Sequence, residues 1–112
     1  MPQEADPIIL LEFSMTPIGK GASVSRFVAR SLDIIDRSGL QYQLNPMGTI
    51  LEGPWSRVMD TVRACLDRMR EEGERITCSM KIDYRRGATG RLVSKIESVE
   101  KQVGRRLKTS LS

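Results

Sequence analysis

The sequence predicts an α+β fold, because apolar residues recur at two different periods along its 112 residues. Segments of period two, typical of half-buried strands, alternate with segments of period 3.6, typical of amphipathic helices. Their order is strand, helix, strand, strand, helix, strand, helix. The first six elements make the βαββαβ order of ferredoxin-like proteins. Right-handed crossovers put the two inner helices on one face of a four-stranded antiparallel sheet, so we expect a two-layer sandwich with an extra C-terminal helix.

The first strand and helix follow a short polar leader, residues 1–7. The apolar run 8–15 predicts a strand that is covered on both faces for part of its length. Its alternation turns Phe13 inward and Glu12 outward. After a loop punctuated by Pro and Gly, one apolar stripe over residues 23–38 predicts a helix.

Two short strands and a second helix occupy the middle of the chain. Residues 40–45 alternate cleanly between apolar and polar, and a turn at 46–48 separates them from a strand over 49–53. Pro54 suits the first turn of the helix that follows, where its missing N–H is not needed. The apolar repeat of that helix extends over 55–69.

A fourth strand and a third helix complete the order. Residues 75–84 alternate almost without fault, and the apolar stripe from Leu92 to Leu107 predicts the last helix, weakened by Gly104. We therefore expect a single domain over residues 8–107, followed by a polar tail of residues 108–112.

The sheet face away from the two inner helices is predicted to be polar. Its outward rows on the second and fourth strands hold amide, hydroxyl and charged side chains: Gln41, Gln43, Asn45, Thr77, Ser79, Lys81 and Asp83. Leu10 lies among these polar groups. The phase of the third strand is open, because the turn at 46–48 can shift it, and Leu51 is therefore a second apolar candidate for this face.

The absence of histidine excludes the most chemistry. It removes a Ser-His-Asp triad, a His-activated thiol and any imidazole metal site. A Cys₄ zinc site is excluded as well, because the chain has only Cys65 and Cys78. Both cysteines fall in apolar rows, so we expect two buried, reduced thiols in a cytoplasmic protein.

Basic charge is concentrated at the C-terminus. The chain holds 18 Lys and Arg against 14 Asp and Glu, but residues 101–112 contain four basic residues and no acidic one. The rest is neutral overall, so we expect a solvated tail and no nucleic-acid partner. No segment approaches the roughly 20 apolar residues of a membrane span, and the acidic N-terminus is unlike a signal peptide.

Glu12 is the most unusual polar residue, because a carboxylate in the middle of an apolar strand is costly unless it is paired. Two interpretations are open: a salt bridge across the sheet to Lys81, or recognition of a cationic or amine-bearing ligand. Glu52 and Asp83 lie near strand ends, where solvation of an edge is the alternative to ligand binding.

The loop before the first helix offers a weaker signal. Its glycines and the free N–H groups of a helix start are compatible with an anion nest. The spacing is not that of a P-loop. The alternative is that Ser23 caps the helix and Ser25 supports the cap.

Seven short motifs, in this order, resemble the thiamine-binding protein family of small YkoF-like cytoplasmic proteins. They are Glu12-Phe13-Ser14, Pro17-Ile18-Gly19, Ser23-Val24-Ser25, Pro46-Met47-Gly48-Thr49, Glu52-Gly53, Lys81-Ile82-Asp83 and Lys95-Ile96-Glu97-Ser98-Val99-Glu100. The resemblance spans about residues 8–103. It implies a ferredoxin-like fold, a homo-oligomer such as a dimer of dimers, and binding of thiamine or its hydroxymethylpyrimidine moiety without catalysis and without a further cofactor.

A thiamine-type ligand needs carboxylate, amide and hydroxyl partners beside an apolar wall. The candidates for these partners are Glu12, Ser23, Ser25, Asn45, Thr49, Glu52 and Asp83. Two other classes remain as alternatives: a structural oligomer without a ligand, and an acylphosphatase-like enzyme, for which the first loop lacks an arginine before Arg26. An RNA-binding sheet is disfavoured because the third strand carries no aromatic residue.

Overall fold

The computed structural model describes residues 5–19, 21, 24–87 and 89–109, and within them the elements follow the predicted order. Strand β1 is Ile8–Pro17, helix α1 Val24–Arg37, strand β2 Gln41–Asn45, strand β3 Gly48–Pro54, helix α2 Trp55–Met69, strand β4 Ile76–Asp83 and helix α3 Arg91–Val103. The strands form one antiparallel sheet in the order β2-β3-β1-β4. The predicted ferredoxin-like fold with an extra C-terminal helix is confirmed.

The core lies between the sheet and the layer of α1 and α2. The inward row of β1 is buried, as its alternation predicts, and meets apolar residues of β3 and of both helices. The largest fully buried side chains are Phe27, Leu11, Ile35, Leu51, Val58 and Cys65. Because β1 and β3 are the central strands, they carry most of the contact with the two helices.

The phase of β3 follows from its tight turn. Asn45 pairs with Gly48, so only Pro46 and Met47 separate β2 from β3. Thr49 then pairs with Phe13 and is buried, and Leu51 joins the core. Leu51 is therefore not an apolar group of the open face; Ile50 and Glu52 are the β3 residues that point there.

Helix α3 lies on the sheet face opposite α1 and α2. It contacts β3 and β2, and its first residues meet Glu52 on the outward row of β3. None of its residues is buried. The helix is also shorter than predicted and does not continue to Leu107. It ends at Val103, because Gly104 adopts the left-handed conformation, with φ of +86°, that terminates helices.

The start of α2 is held by residues that precede β1. Pro54 provides no side-chain cap for this helix. The Asp6 carboxylate replaces it by accepting hydrogen bonds from the Ser56 backbone N–H at 2.8 Å and the Ser56 hydroxyl at 2.7 Å, and these bonds lower the pKa of Asp6. The end of the predicted leader is thus part of the folded domain.

The prediction that both cysteines are buried is right for Cys65 and wrong for Cys78. Cys65 is fully buried, which raises the pKa of its thiol to about 11. Cys78 is exposed because β4 is an edge strand, on the side of the sheet that α1 and α2 cover least. The same cause leaves Met80 48% exposed and Ile82 41% exposed, although they share the inward face with Phe13 and Leu11.

None of the helices that the structure describes is long and apolar enough to cross a membrane.

Position 53 leaves little room for a side chain. A Cβ atom there would lie 2.6 Å from Leu40 Cδ2 and 3.6 Å from Val58 Cγ2. We expect Gly53→Ala to lower the free energy of unfolding by about 1–3 kcal/mol through overpacking, measured by urea denaturation. In a Leu40→Ala background the clashing atom is absent, so the same substitution should cost much less. An unchanged urea midpoint for the single variant would contradict this account.

Candidate functional site

The seven predicted site residues do not lie around one point. Glu12, Glu52 and Asp83 belong to the face of the sheet that α3 partly covers, here called the open face. Thr49 and Ser25 belong to the opposite side, with α1. Ser23 lies outside the residues that the structure describes.

The Glu52 side chain holds the start of α3 on the sheet. Glu52 is 7% exposed, and its carboxylate accepts hydrogen bonds from the backbone N–H of Arg91 at 2.8 Å and of Leu92 at 3.1 Å. These are the first two amides of the helix, and the preceding Gly90 has no side chain to cap them. A negative charge at this end also complements the helix dipole. Glu52 therefore acts as an N-terminal cap supplied by a neighbouring strand.

Asp83 continues the attachment of α3. Its Oδ2 accepts hydrogen bonds from Arg91 Nη2 at 2.6 Å and from Lys95 Nζ at 2.8 Å, which together lower the pKa of Asp83 to about 2. Because the folded pKa is depressed, the stabilising contribution is present above the ordinary pKa of an aspartate. It is lost only as the pH falls toward 2.

Glu12, by contrast, makes no side-chain hydrogen bond or salt bridge within the described part of the chain. It is exposed, and its neighbours across the sheet are Ile50 on one side and Lys81 on the other. Within the described part of the chain the two charged groups form neither a hydrogen bond nor a salt bridge, although they occupy paired positions. The cross-sheet salt bridge is therefore not found, and the carboxylate faces outward without a hydrogen-bond partner among the residues that the structure describes.

A cavity of about 200 Å³ opens beside Glu12 on the open face. Its walls combine two apolar and four charged side chains: Leu10, Ile50, Glu12, Lys81, Asp83 and Lys95. A second cavity of about 190 Å³ adjoins it, shares Glu12 and Lys81, and extends toward Ser14 and Ser79. We call the two together the open-face groove. An aromatic ring can pack on its apolar floor while charged groups line the rim.

A separate cavity of about 250 Å³ lies between α1 and the hairpin of β2 and β3, and we call it the interlayer cavity. Its lining is mainly apolar, with Val28, Leu44 and Met47 among its walls and Thr49 and Ser31 as polar groups. Asn45 borders it, but its Oδ1 accepts a hydrogen bond from Gln43 Nε2 at 3.0 Å. Ser25 is exposed on the first turn of α1 and is not part of the lining.

Sequence reasoning missed Lys95 as a groove residue and treated Lys81 only as a partner for Glu12. Lys95 lies on α3, and its presence in the groove follows from the packing of that helix on the open face. One sequence feature did point to Lys95, because it is the first residue of the last of the seven motifs. Nothing in the spacing of those residues indicates which face of the sheet the helix covers.

Comparisons with known proteins agree on the fold and on one family. The profile of a family described as thiamine-binding protein matches residues 11–100. A UPF0045 protein from Mycobacterium bovis is 32% identical over 94 residues, covering 83% of this chain and 92% of the relative. The UPF0045 protein YqgV from Bacillus subtilis is 33% identical over 100 residues, covering 84% and 96%.

Two solved structures have the same fold. A hypothetical protein from Methanocaldococcus jannaschii superposes with a TM-score of 0.72 at 30% identity, over 87% of this chain and 96% of that one. A Thermotoga maritima protein, provisionally named for thiamine biosynthesis or salvage, superposes with a TM-score of 0.70 at 24% identity, over 80% and 98%.

Loss of the Glu52 charge should release α3. Glu52→Gln keeps the shape but leaves one acceptor oxygen for two amides, so we expect α3 docking to weaken by about 1.5–3 kcal/mol. Amide hydrogen exchange should accelerate at Arg91 and Leu92 and along the helix. Glu97→Gln, which removes the same charge from an exposed position on α3, is the control. Equal exchange in both variants would show that Glu52 does not hold the helix.

Proposed function

The chain belongs to the thiamine-binding protein family, and from this premise we propose that it binds thiamine or its hydroxymethylpyrimidine moiety without transforming it. The family description names binding rather than a reaction. The complete absence of histidine supports the same conclusion, because histidine is the commonest general acid and base at neutral pH.

The observation that carries the proposal is the exposed carboxylate of Glu12 in the open-face groove, which has no hydrogen-bond or salt-bridge partner among the described residues. Thiamine has a cationic thiazolium ring and an amino group on its pyrimidine. A carboxylate that accepts from such an amine, or faces such a cation, forms a charge-assisted contact. Leu10 and Ile50 provide the apolar surface on which a heteroaromatic ring packs. In this proposal Glu12 is the central ligand contact.

The other predicted residues take different parts in the proposal. Asp83 orients Lys95 at the rim of the groove, and Glu52 fixes the helix that carries Lys95. Thr49 and Asn45 border the interlayer cavity, which is the second candidate position for the ligand. Ser25 lines neither cavity and Ser23 lies outside the described residues, so both stay predictions from the sequence.

We propose further that the protein is a cytoplasmic homo-oligomer. The support is apolar surface that a single chain leaves uncovered. Met80 and Ile82 are exposed on the edge strand β4, and the backbone of an edge strand is free to pair with another strand. Val99 and Val103 are exposed on α3 in the same way. Contact between identical copies covers such surfaces by symmetry.

Calorimetry with thiamine and with hydroxymethylpyrimidine tests the binding proposal. We expect a dissociation constant in the micromolar range, about −8 kcal/mol, for the wild type. Glu12→Gln should weaken binding by about 1.5–3 kcal/mol, or roughly ten- to 150-fold, because the shape is kept and the charge is lost. Glu74→Gln is the matched control. Glu74 is exposed and precedes Ile76, the first residue of β4, whereas Asp83 is the last.

The outcomes separate the alternatives. No heat with either compound leaves the structural oligomer standing. Binding that survives Glu12→Gln but is lost in Thr49→Val keeps the function and moves the ligand to the interlayer cavity.

Light scattering tests self-association. We expect a mass that is a multiple of 12.6 kDa at micromolar concentration. If β4 is the interface, Ile82→Lys should reduce the mass, and maleimide labelling of Cys78 should slow as the protein concentration rises. Val99→Lys is the matched variant on α3. A wild-type mass of 12.6 kDa would overturn the proposal.

A further inference from the structure

The edge strand β4 combines a free backbone edge with exposed side chains along nearly its whole length. Within the described residues its one neighbour in the sheet is β1, so the hydrogen-bonding groups of its other edge have no strand beside them. Six of its eight residues, 77–82, are exposed. A free edge of this length is a surface to which another strand adds by backbone hydrogen bonds.

The row of β4 on the helix side of the sheet is apolar. It consists of Ile76, Cys78, Met80 and Ile82, and Tyr84 continues the alternation directly after the strand. Met80 is 48% exposed, Ile82 41% and Tyr84 45%, and Cys78 is exposed as well. An added strand that carried its own apolar row on this side would cover these residues.

We propose that the added strand is β4 of a second copy of the chain, antiparallel and in the register that places Met80 opposite Met80. This register also places Ile82 opposite Cys78 and Tyr84 opposite Ile76, so the whole apolar row pairs with itself. The contact joins two four-stranded sheets into one of eight strands. This inference rests on the proposed self-association and identifies its interface.

The neighbouring registers fit less well. A shift by one residue would turn the apolar row of one copy against the polar row of the other. A shift by two residues in one direction places Lys81 opposite Lys81, and like charges directly opposite each other destabilise a sheet. A shift by two in the other direction places Tyr84 opposite Glu74, so the row no longer pairs fully with itself.

Two copies of β4 also form a closed contact. Because the same strand is used on both sides, a two-fold axis satisfies both edges at once and the assembly ends at two copies. The other edge strand of the sheet, β2, is five residues long against eight for β4. A contact of β4 with β2 of the next copy would leave a free edge at each end and would add copies without limit.

The same register brings the second copy to the open-face groove. On the polar row it places Lys81 opposite Ser79 of the second copy, and Asp83 opposite its Thr77. Lys81 lines both parts of the groove, and Ser79 lines one of them. The groove of each copy therefore continues onto hydroxyl groups of the other.

Oxidative cross-linking through the native Cys78 tests the interface and its register. Directly opposite residues on antiparallel strands have Cα atoms about 4.5–5.5 Å apart, which a disulfide can span. With diamide as the oxidant, Ile82→Cys should give a covalent dimer of twice the 12.6 kDa chain mass, and adding Cys78→Ser should abolish it. Met80→Cys should give the dimer with or without Cys78→Ser, because position 80 faces itself.

Wild-type protein and Val99→Cys are the controls. Wild-type Cys78 faces Ile82, and Val99 is exposed on α3, so we expect neither protein to cross-link. Because the substituted residues are exposed, all variants should fold, and circular dichroism spectra that match the wild type establish this.

The outcomes separate this inference from the proposed function. A Met80→Cys dimer that disappears with Cys78→Ser overturns the register, since it places Met80 opposite Cys78. A wild-type mass above 12.6 kDa without a cross-link in either β4 variant overturns the interface and leaves self-association intact. A wild-type mass of 12.6 kDa overturns both. Thiamine binding is measured independently by calorimetry and is decided by none of these results.

Discussion

The arrangement of the open face depends on one polar interaction, the capping of α3 by Glu52 of the neighbouring strand β3. Because the Glu52 carboxylate accepts the first two amides of the helix, α3 begins over β3 and lies on the face that a ferredoxin-like sandwich leaves uncovered. That position brings Arg91 and Lys95 to Asp83. The helix has no fully buried residue, and its hydrogen bonds to Glu52 fix where it begins on the sheet.

Most of the fold could be predicted because its determinants are local. The periods of two and 3.6 set the type of each element, and the inward row of β1 followed from simple alternation. Two features were not accessible from local pattern. The alternation of β4 gave Cys78 the correct face, but its burial depends on which strand lies at the sheet edge. The sheet face to which Thr49 points was the second such feature. It depends on the length of the turn between β2 and β3, which is known only once the pairing of these strands is known.

The site was less predictable than the fold, and the carboxylates show why. Glu12, Glu52 and Asp83 have the same chemistry in the sequence, but among the described residues Glu52 and Asp83 have hydrogen-bond partners and Glu12 has none. The partners of Glu52 lie 39 and 40 residues further along the chain, on a helix whose residue spacing does not indicate which sheet face it covers. The polar residues near α1 have the right chemical type as well, yet the sheet separates Thr49 from Glu12.

The attachment of α3 also affects the charge of the open face while the chain is being synthesised. Synthesis proceeds from the N-terminus, so the four strands and first two helices leave the ribosome before α3 does. At that stage the charged side chains on the outward rows of the strands are the carboxylates of Glu12, Glu52 and Asp83 and the single ammonium group of Lys81. The repulsion among these acids ends only when the basic start of α3 arrives. The basic residues of α3 thus neutralise part of the negative charge of the sheet, and this face is more acidic in the nascent domain than in the complete one.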